Sequence, residues 1–246
     1  MQTFECVSCQ RECRTYARSP RCVCGKQMTA KEAGPARAAP AVIVGEWAAP
    51  DKFDIVTVTH NDRNRREAAE MREALDEFSE LPYTLRIVDN RRNSRTYAAA
   101  CNSGAAGQTA PVIGFINPDV EITGPFMRQV AEVFDTGRHT VITGERFGKS
   151  REQVREWGLL DWTCGAAMFV RREWFGRVGG FDERYAWAWE ETDICMQAQR
   201  AGYVVRSIQL PMWHESPTTD TTKDLAFKRR GFEMGQALYR RKWHAG

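Results

Sequence analysis

The sequence predicts an α/β protein with a doubly wound, mostly parallel sheet, and two observations lead to this fold class. From Phe53 onward, short runs rich in β-branched residues alternate with longer segments whose apolar residues recur at helical spacing. The helical segments are long enough to be the crossovers that parallel strands require. In sheets of this kind, ligands bind beyond the carboxyl ends of the strands.

Three strand–helix units follow one another in this region. The first pairs the strand "FDIVTVTH" with the helix "NRREAAEMREALDEF", whose apolar residues Met71, Leu75 and Phe78 share one face. The second pairs "YTLRIVDN" with the small-residue helix "SRTYAAACNSGAA". The third pairs "PVIGFIN" with "GPFMRQVAEVF", in which a proline opens the helix.

Each of the three strands ends in polar residues, namely His60-Asn61-Asp62, Asp89-Asn90 and Asn117-Pro118-Asp119. Carboxylates gathered at one edge of a sheet repel one another unless a positive charge lies among them. Oxygen ligands suit Mg²⁺ or Mn²⁺, and such an ion keeps positions open for phosphates. No GxGxxG or GxxxxGK[ST] loop follows the first strand, so we expect a metal ion to hold the substrate's phosphates.

Five of the eight cysteines lie in the first 24 residues. The pairs Cys6-x2-Cys9 and Cys22-x-Cys24 predict a tetrahedral structural Zn²⁺ site, with Cys13 as an alternative ligand. The alternative interpretation is a disordered tail that carries cysteines. Residues 1–26 are therefore predicted to form a zinc-ribbon-like module, followed by a linker over 27–52 that is rich in Ala, Pro and Gly.

The remaining residues, 53–246, are predicted to form one catalytic domain that ends in a basic helix. No stretch approaches the ~18 to 20 apolar residues of a membrane span, and the first residues lack the features of a signal peptide. These observations predict a cytoplasmic protein without a transmembrane segment.

Four segments in sequence order resemble glycosyltransferase family 2, whose fold is the Rossmann-like GT-A fold. They are "FDIVTVTHND", "LRIVDNRRNSRTYAAACNSGAA", "FINPDVEI" and "TCGAAMFVRREWFGRVGGFDERYAWAWEETDICMQAQRAGY". The third contains an Asn-Pro-Asp form of the family's DxD motif. The resemblance extends from residue 53 to about residue 215 and implies metal-dependent, inverting transfer from a nucleotide-diphosphate sugar, with a UDP-sugar as the first candidate donor.

The resemblance also implies roles for individual residues. Asp119 would ligate Mn²⁺ or Mg²⁺, and His214 would be a further metal ligand. Asp89 would bind the base of the donor. The donor-binding residues that it implies are Thr59, Asp62, Asp89, Asn117, Asp119, Gly165 and Ala166.

Three acidic residues fall within four positions of "WAWEETDICMQ". Inverting sugar transfer needs a base that takes the proton of the acceptor hydroxyl. By position in the family, Glu191 is that base, although the family more often has Asp there, and Asp193 is the alternative. A simpler explanation is that acidic residues favour the N-terminus of a helix.

Clusters of basic residues suggest a macromolecular acceptor, and DNA with a hydroxymethylated base is one candidate. A polysaccharide, a protein and a lipid-linked sugar are the alternative acceptors. A different class of function is a non-catalytic zinc-ribbon protein that binds nucleic acid. The clusters are Arg63, Arg65 and Arg66; Arg91, Arg92 and Arg95; Lys228, Arg229 and Arg230; and Arg240, Arg241 and Lys242.

Overall fold

The fold is described by a computed structural model. It covers residues 2–5, 12–15, 29–30, 47, 49–92, 95–137, 139–214 and 222–244. At the N-terminus, β1 (Gln2–Glu5) pairs in antiparallel fashion with β2 (Glu12–Thr15) and with β3 (Thr29–Ala30). The predicted zinc ligands Cys6, Cys9, Cys22 and Cys24 lie outside the described residues, so the zinc site and the boundaries of the N-terminal module stay predictions.

One six-stranded sheet organises the remainder of the described chain. Its strands are β4 (Phe53–Thr59), β5 (Tyr83–Asp89), β6 (Val112–Ile116), β8 (Thr140–Gly144), β9 (Ala167–Arg171) and β10 (Val204–Ser207). The spatial order is β10-β8-β9-β6-β4-β5. Every neighbouring pair is parallel except for the two pairs that β9 forms with β6 and β8. The predicted α/β class and mostly parallel sheet are confirmed, and the antiparallel β9 makes the sheet mixed.

A separate two-stranded sheet lies beyond the end of β6. It consists of β7 (Val120–Ile122) and β11 (Met212–His214), which are antiparallel.

Seven helices surround the sheets in the described part of the chain. They are α1 (Asp62–Phe78), α2 (Tyr97–Ala105), α3 (Met127–Thr136), α4 (Arg151–Glu156), α5 (Arg172–Val178), α6 (Glu190–Arg200) and α7 (Thr222–Trp243). None of these seven has both the length and the apolar composition of a membrane-spanning helix.

The central strands of the sheet are buried on both faces, and their alternating side chains separate two apolar clusters. Val56 and Phe115 point to the side that is covered by α2, α5, α6 and the end of α7. Ile55 and Ile116 point to the opposite side, where α1 and α3 pack. Strand β4 is buried along its whole length, including the polar residues Asp54, Thr57 and Thr59, as expected for a central strand.

Helix α7 is attached to α6 through the carboxylate of Asp193, which is fully buried. This carboxylate accepts hydrogen bonds from Tyr185 Oη at 2.9 Å and Gln197 Nε2 at 2.8 Å. From the last turn of α7 it accepts two more, from Lys242 Nζ and Trp243 Nε1, each at 2.8 Å. A buried carboxylate is tolerated when donors and a cation surround it in this way, and here they join two helices that are distant in sequence.

We predict that Asp193→Ala lowers the free energy of unfolding by about 3 kcal/mol, because the variant leaves buried hydrogen-bond donors without an acceptor. This value is the lower end of the usual range for breaking a buried ion pair, because the Lys242 ammonium retains its second ion pair, with Asp182 at 3.1 Å. Urea denaturation measures the change. As the control, Glu233→Ala breaks an exposed pair with Arg229 in the same helix and costs about 0.5 kcal/mol or less. Equal effects of the two substitutions would show that Asp193 does not hold α7.

Candidate active site

The ends of β4 and β5 bring three of the predicted donor-binding residues together. Their parallel register places Thr59 beside Asp89, and the backbone N–H of Asn90 donates to the carbonyl of Thr59 at 2.9 Å. Arg91 joins the two acidic residues, because its guanidinium lies 2.6 Å from Asp89 and 2.5 Å from Asp62. Its hydrogen bonds to Asp89 hold the pKa of that exposed carboxyl well below the usual range.

The turn after β6 is tied to the start of β9. The backbone N–H of Asn117 donates to the carbonyl of Ala166 at 2.8 Å, continuing the pairing of Ile116 with Ala167. The side-chain oxygen of Asn117 accepts a hydrogen bond from the Tyr97 hydroxyl at 2.7 Å. Asn117 therefore has a fixed orientation at the carboxyl edge of the sheet, with its amide oxygen engaged by tyrosine.

Asp119 and His214 face each other across the small sheet, because β7 and β11 pair Val120 with His214. The distance between Asp119 Oδ1 and His214 Nε2 is 3.4 Å. Burial acts to raise the pKa of Asp119, but the contact with His214 outweighs it and the pKa lies below its usual value. Within the described residues, the buried His214 Nε2 has no hydrogen-bond partner.

This pair can supply one carboxylate oxygen and one imidazole nitrogen to a metal ion, and both ligand types suit Mn²⁺. In the part of the chain that the structure describes, no cluster of three or more His, Cys, Asp or Glu side chains is arranged to hold a metal. A divalent ion at Asp119 and His214 would thus take its other ligands from phosphate and water, which is common for Mg²⁺ and Mn²⁺ at phosphate sites.

Helix α6 begins with two adjacent carboxylates, Glu190 and Glu191, which lie next to Gly165. Burial raises the pKa of both, that of Glu191 to about 7. Among the described residues, one oxygen of each carboxylate is buried without a hydrogen-bond partner. Gly165 packs directly on this pair, because a Cβ atom added to it would lie 3.3 Å from Cβ of Glu191. Such a carboxylate is poised to accept a proton near neutral pH.

The backbone that leads into this acidic pair is in an unusual conformation. Ala188 and Trp189 have φ angles of 58° and 75°, in the left-handed region that costs roughly 1 to 2 kcal/mol for a residue with a side chain. The Trp189 ring is held by aromatic packing, at centroid distances of 5.2 Å from Tyr239 and 5.6 Å from Trp157. Packing of this kind offsets local strain, which is common at functional sites.

The structure thus gathers the predicted donor-binding residues along one edge of the sheet and places Glu191 beside them. It engages the carboxylate of Asp193 in the hydrogen bonds to α7 described above. Arg91 and Tyr97 also belong to this edge. The sequence interpretation named Arg91 only within a basic cluster that suggests a macromolecular acceptor, and it did not name Tyr97 as a site residue. Their positions directly after β5 and at the start of α2 are the pattern that points to them.

Comparison with known proteins gives a family and several relatives. The profile of Glycosyl transferase family 2 matches residues 61–245. The N-acetylglucosaminyl-diphospho-decaprenol L-rhamnosyltransferase of Mycobacterium tuberculosis is 32% identical over 123 residues, which are 46% of this chain and 38% of that protein. The rhamnosyltransferase WbbL of Escherichia coli is 36% identical over 64 residues, or 26% of this chain and 24% of WbbL. The chain therefore matches well under half the length of these curated relatives.

Solved structures agree in fold. The mannosyltransferase PcManGT from Pyrobaculum calidifontis, in complex with GDP-Man and Mn²⁺, has a TM-score of 0.58 at 14% identity, covering 79% of this chain and 67% of that one. Residues 1–349 of TarS from S. aureus give a TM-score of 0.55 at 14% identity, covering 78% and 65%. At this identity the likeness concerns the fold alone, and it is consistent with GT-A. The family match extends over most of the chain, so this protein belongs to glycosyl transferase family 2.

Proposed function

We propose that this protein transfers a sugar, with inversion at the anomeric carbon, from a nucleotide-diphosphate donor to a hydroxyl of a macromolecular acceptor. A UDP-sugar is the first candidate donor. The observation that carries the proposal is Glu191, a half-buried residue with one carboxylate oxygen fully buried, whose pKa is raised to about 7 and which shares one sheet edge with Asp119 and His214. A base at one side of the site and a pair of metal ligands at the other are what this reaction requires.

Asp119 and His214 would hold Mn²⁺ or Mg²⁺. The ion would neutralise the negative charge of the diphosphate that leaves when the sugar is transferred. The fit is supported by the Nε2 of His214, which is buried 3.4 Å from Asp119 Oδ1 without a hydrogen bond among the described residues, and by the mixed oxygen–nitrogen ligand set. On the other side of the edge, Asp89 would receive the base of the nucleotide, with Asp62 and Thr59 in the same pocket and Arg91 fixing the two carboxylates.

Glu191 is the proposed base. Its carboxylate takes the proton of the acceptor hydroxyl while that oxygen forms a bond to the anomeric carbon. The bond from this carbon to the diphosphate breaks at the same time, and the electron pair of that bond goes to the departing diphosphate oxygen. Asp193 is the weaker candidate, because its carboxylate is fully buried and already accepts four hydrogen bonds.

The acceptor is proposed at the level of a macromolecule that bears a hydroxyl. DNA with 5-hydroxymethylated pyrimidines is supported by exposed arginines at the start of α1 and after β5, beside the proposed donor pocket. A sugar on a polyprenyl diphosphate is supported by the mycobacterial relative, which is named for an acceptor of this kind. The exposed arginines that favour DNA are Arg63, Arg65, Arg66, Arg92 and Arg95.

We predict that Asp119→Ala abolishes Mn²⁺-dependent binding of nucleoside diphosphates and lowers kcat/KM by about 10²-fold or more, because charge on the leaving group is no longer balanced. Calorimetric titration with UDP and GDP, with and without Mn²⁺, measures the binding separately from turnover. Glu121→Ala is the matched control, since Glu121 lies two residues further on, in β7, and is exposed. Full metal-dependent binding by Asp119→Ala would show that the metal lies elsewhere.

We predict that Glu191→Gln lowers kcat by about 10²- to 10⁴-fold with little effect on donor binding, because it removes only the base. In the unaltered protein, kcat/KM should rise tenfold per pH unit up to about pH 7 and then level off, since the deprotonated carboxylate is the active form. Glu191→Asp should retain part of the activity. Because burial disfavours the charged carboxylate, Glu191→Gln should be at least as stable as the unaltered protein at pH 8, which guards against unfolding as the cause. Unchanged kcat in Glu191→Gln would refute the assignment.

We predict that one of two acceptors gains the mass of a sugar. The protein is incubated with Mn²⁺ and a mixture of nucleotide sugars, first with DNA that contains 5-hydroxymethylated pyrimidines and then with N-acetylglucosamine on a polyprenyl diphosphate. Mass spectrometry of the digested nucleosides or of the extracted lipid reports the transfer, and Asp119→Ala is the blank. Transfer to DNA alone selects the nucleic-acid acceptor, and transfer to the lipid alone excludes it. No transfer to either acceptor and no hydrolysis of any donor would contradict the proposed function.

A further inference from the structure

The carboxylate of Glu145, the first residue after β8, accepts hydrogen bonds from the main chain on both of its oxygens. Oε1 accepts from the backbone N–H of Arg146 at 2.8 Å and of Phe147 at 3.4 Å. Oε2 accepts from the backbone N–H of Leu210 at 2.8 Å. Because hydrogen bonds to a carboxylate oxygen are stronger than those between neutral groups, this half-buried side chain ties the turn after β8 to the segment before β11. No step of the proposed transfer uses this carboxylate.

The segment before β11 is fixed at the residues next to this hydrogen bond. Leu210, whose N–H binds Glu145, has a buried side chain. The carbonyl of Pro211 accepts a hydrogen bond from the backbone N–H of Thr123 at 2.8 Å. Strand β11 starts directly afterwards and ends at His214. The hydrogen bond to Glu145 therefore helps to set the position of His214.

The turn that Glu145 holds carries an aromatic ring that packs on His214. The centroids of the Phe147 and His214 rings are 5.2 Å apart, and the ring planes are inclined by 54°. The backbone of Phe147 has a φ angle of 46°, in the left-handed region that is unfavourable for a residue with a side chain. Such a conformation persists where the surroundings determine it, and the hydrogen bonds to Glu145 contribute to this. Glu145 thus acts on His214 from a second direction.

The main chain of Glu145 pairs with the loop that contacts the proposed base. Its N–H donates to the carbonyl of Ala167 at 3.1 Å, and its carbonyl accepts from the N–H of Cys164 at 2.7 Å. Gly165 lies between these two partners in sequence and packs on Glu191. One residue therefore joins the loop beside the proposed base to the strand that carries a proposed metal ligand.

We propose that Glu145 is a positioning residue that holds the His214 imidazole where it can bind a divalent ion together with Asp119. It acts through the backbone of Leu210 and through the ring of Phe147. The inference rests on the proposed function, in which Asp119 and His214 bind Mn²⁺ or Mg²⁺. Replacing groups that orient metal ligands typically weakens metal binding by about 10- to 100-fold. Because Glu145 acts through intermediate residues, we expect the lower end of this range.

Equilibrium dialysis of the full chain against Mn²⁺ and a nucleoside diphosphate measures protein-bound metal without turnover. UDP, GDP and dTDP are tried in turn, and the one that supports Mn²⁺ binding by the unaltered protein is used. We expect Glu145→Gln to weaken Mn²⁺ binding about tenfold. The amide has only one acceptor oxygen, so its NH₂ group would face a backbone N–H on one side. As the control, Glu132→Gln removes the same charge from an exposed position of α3 and should leave Mn²⁺ binding unchanged.

Kinetics distinguish positioning from a general loss of structure. The main-chain hydrogen bonds of residue 145 remain in Glu145→Gln, so the loop beside Glu191 should keep its place. The Mn²⁺ concentration that gives half-maximal turnover should then rise about tenfold, while kcat at saturating Mn²⁺ changes by less than about threefold. A fall of kcat at every Mn²⁺ concentration would overturn the positioning role and give Glu145 a general structural one.

A second variant, Phe147→Gly, removes only the ring and suits the left-handed backbone. It keeps the backbone N–H groups that bind Glu145. We expect it to weaken Mn²⁺ binding, because His214 loses the ring on which it packs. If Glu145→Gln does not fold, this variant decides, and Mn²⁺ binding equal to that of the unaltered protein overturns the proposal.

The outcomes separate this inference from the function on which it rests. If the unaltered protein binds no Mn²⁺ with any of the three diphosphates, the proposed metal site and the role of Glu145 are both overturned. If it binds Mn²⁺ and a folded Glu145→Gln binds the ion within about twofold as well, only the role of Glu145 is overturned.

Discussion

The arrangement of the site depends on the direction of one strand. Because β9 is antiparallel to β6, its first residues lie beside the last residues of β6, and the backbone of Asn117 bonds to Ala166 there. Gly165, one residue earlier, then contacts Glu191. A parallel β9 would place these residues at the opposite edge of the sheet. The antiparallel pairing is thus what brings the proposed base to the side where Asp119 and His214 meet.

Sequence patterns predicted the local elements well and the long-range partners poorly. Strands β4, β5 and β6 and the helices after them follow from periodicity, and their polar ends locate Asp89 and Asp119. The direction of β9 does not follow, because the apolar run "AMFVR" is equally compatible with either orientation. The hydrogen-bond partners of Asp193 could not be predicted from the sequence either, because two of the donors lie about fifty residues further along the chain.

Helix α7 contacts the molecule at two places, through its last turn and through its middle turns. Its last turn is held by the buried carboxylate of Asp193, an interaction that fixes its position. Its middle turns approach the segment before Glu190 through two glycines, and Gly235 would clash with Trp189 if it carried a side chain. A helix that is fixed at one end and closely packed in the middle has little freedom to move relative to the segment before Glu190.

The left-handed backbone at Ala188 and Trp189 has a consequence for how heat affects the protein. The strain there is balanced in part by aromatic rings of α7 and of the segment after α4. A segment whose conformation depends on such contacts can relax while the six strands remain paired. If this segment relaxes first on heating, turnover would be lost at a lower temperature than the folded sheet, because Glu190 and Glu191 follow the segment directly.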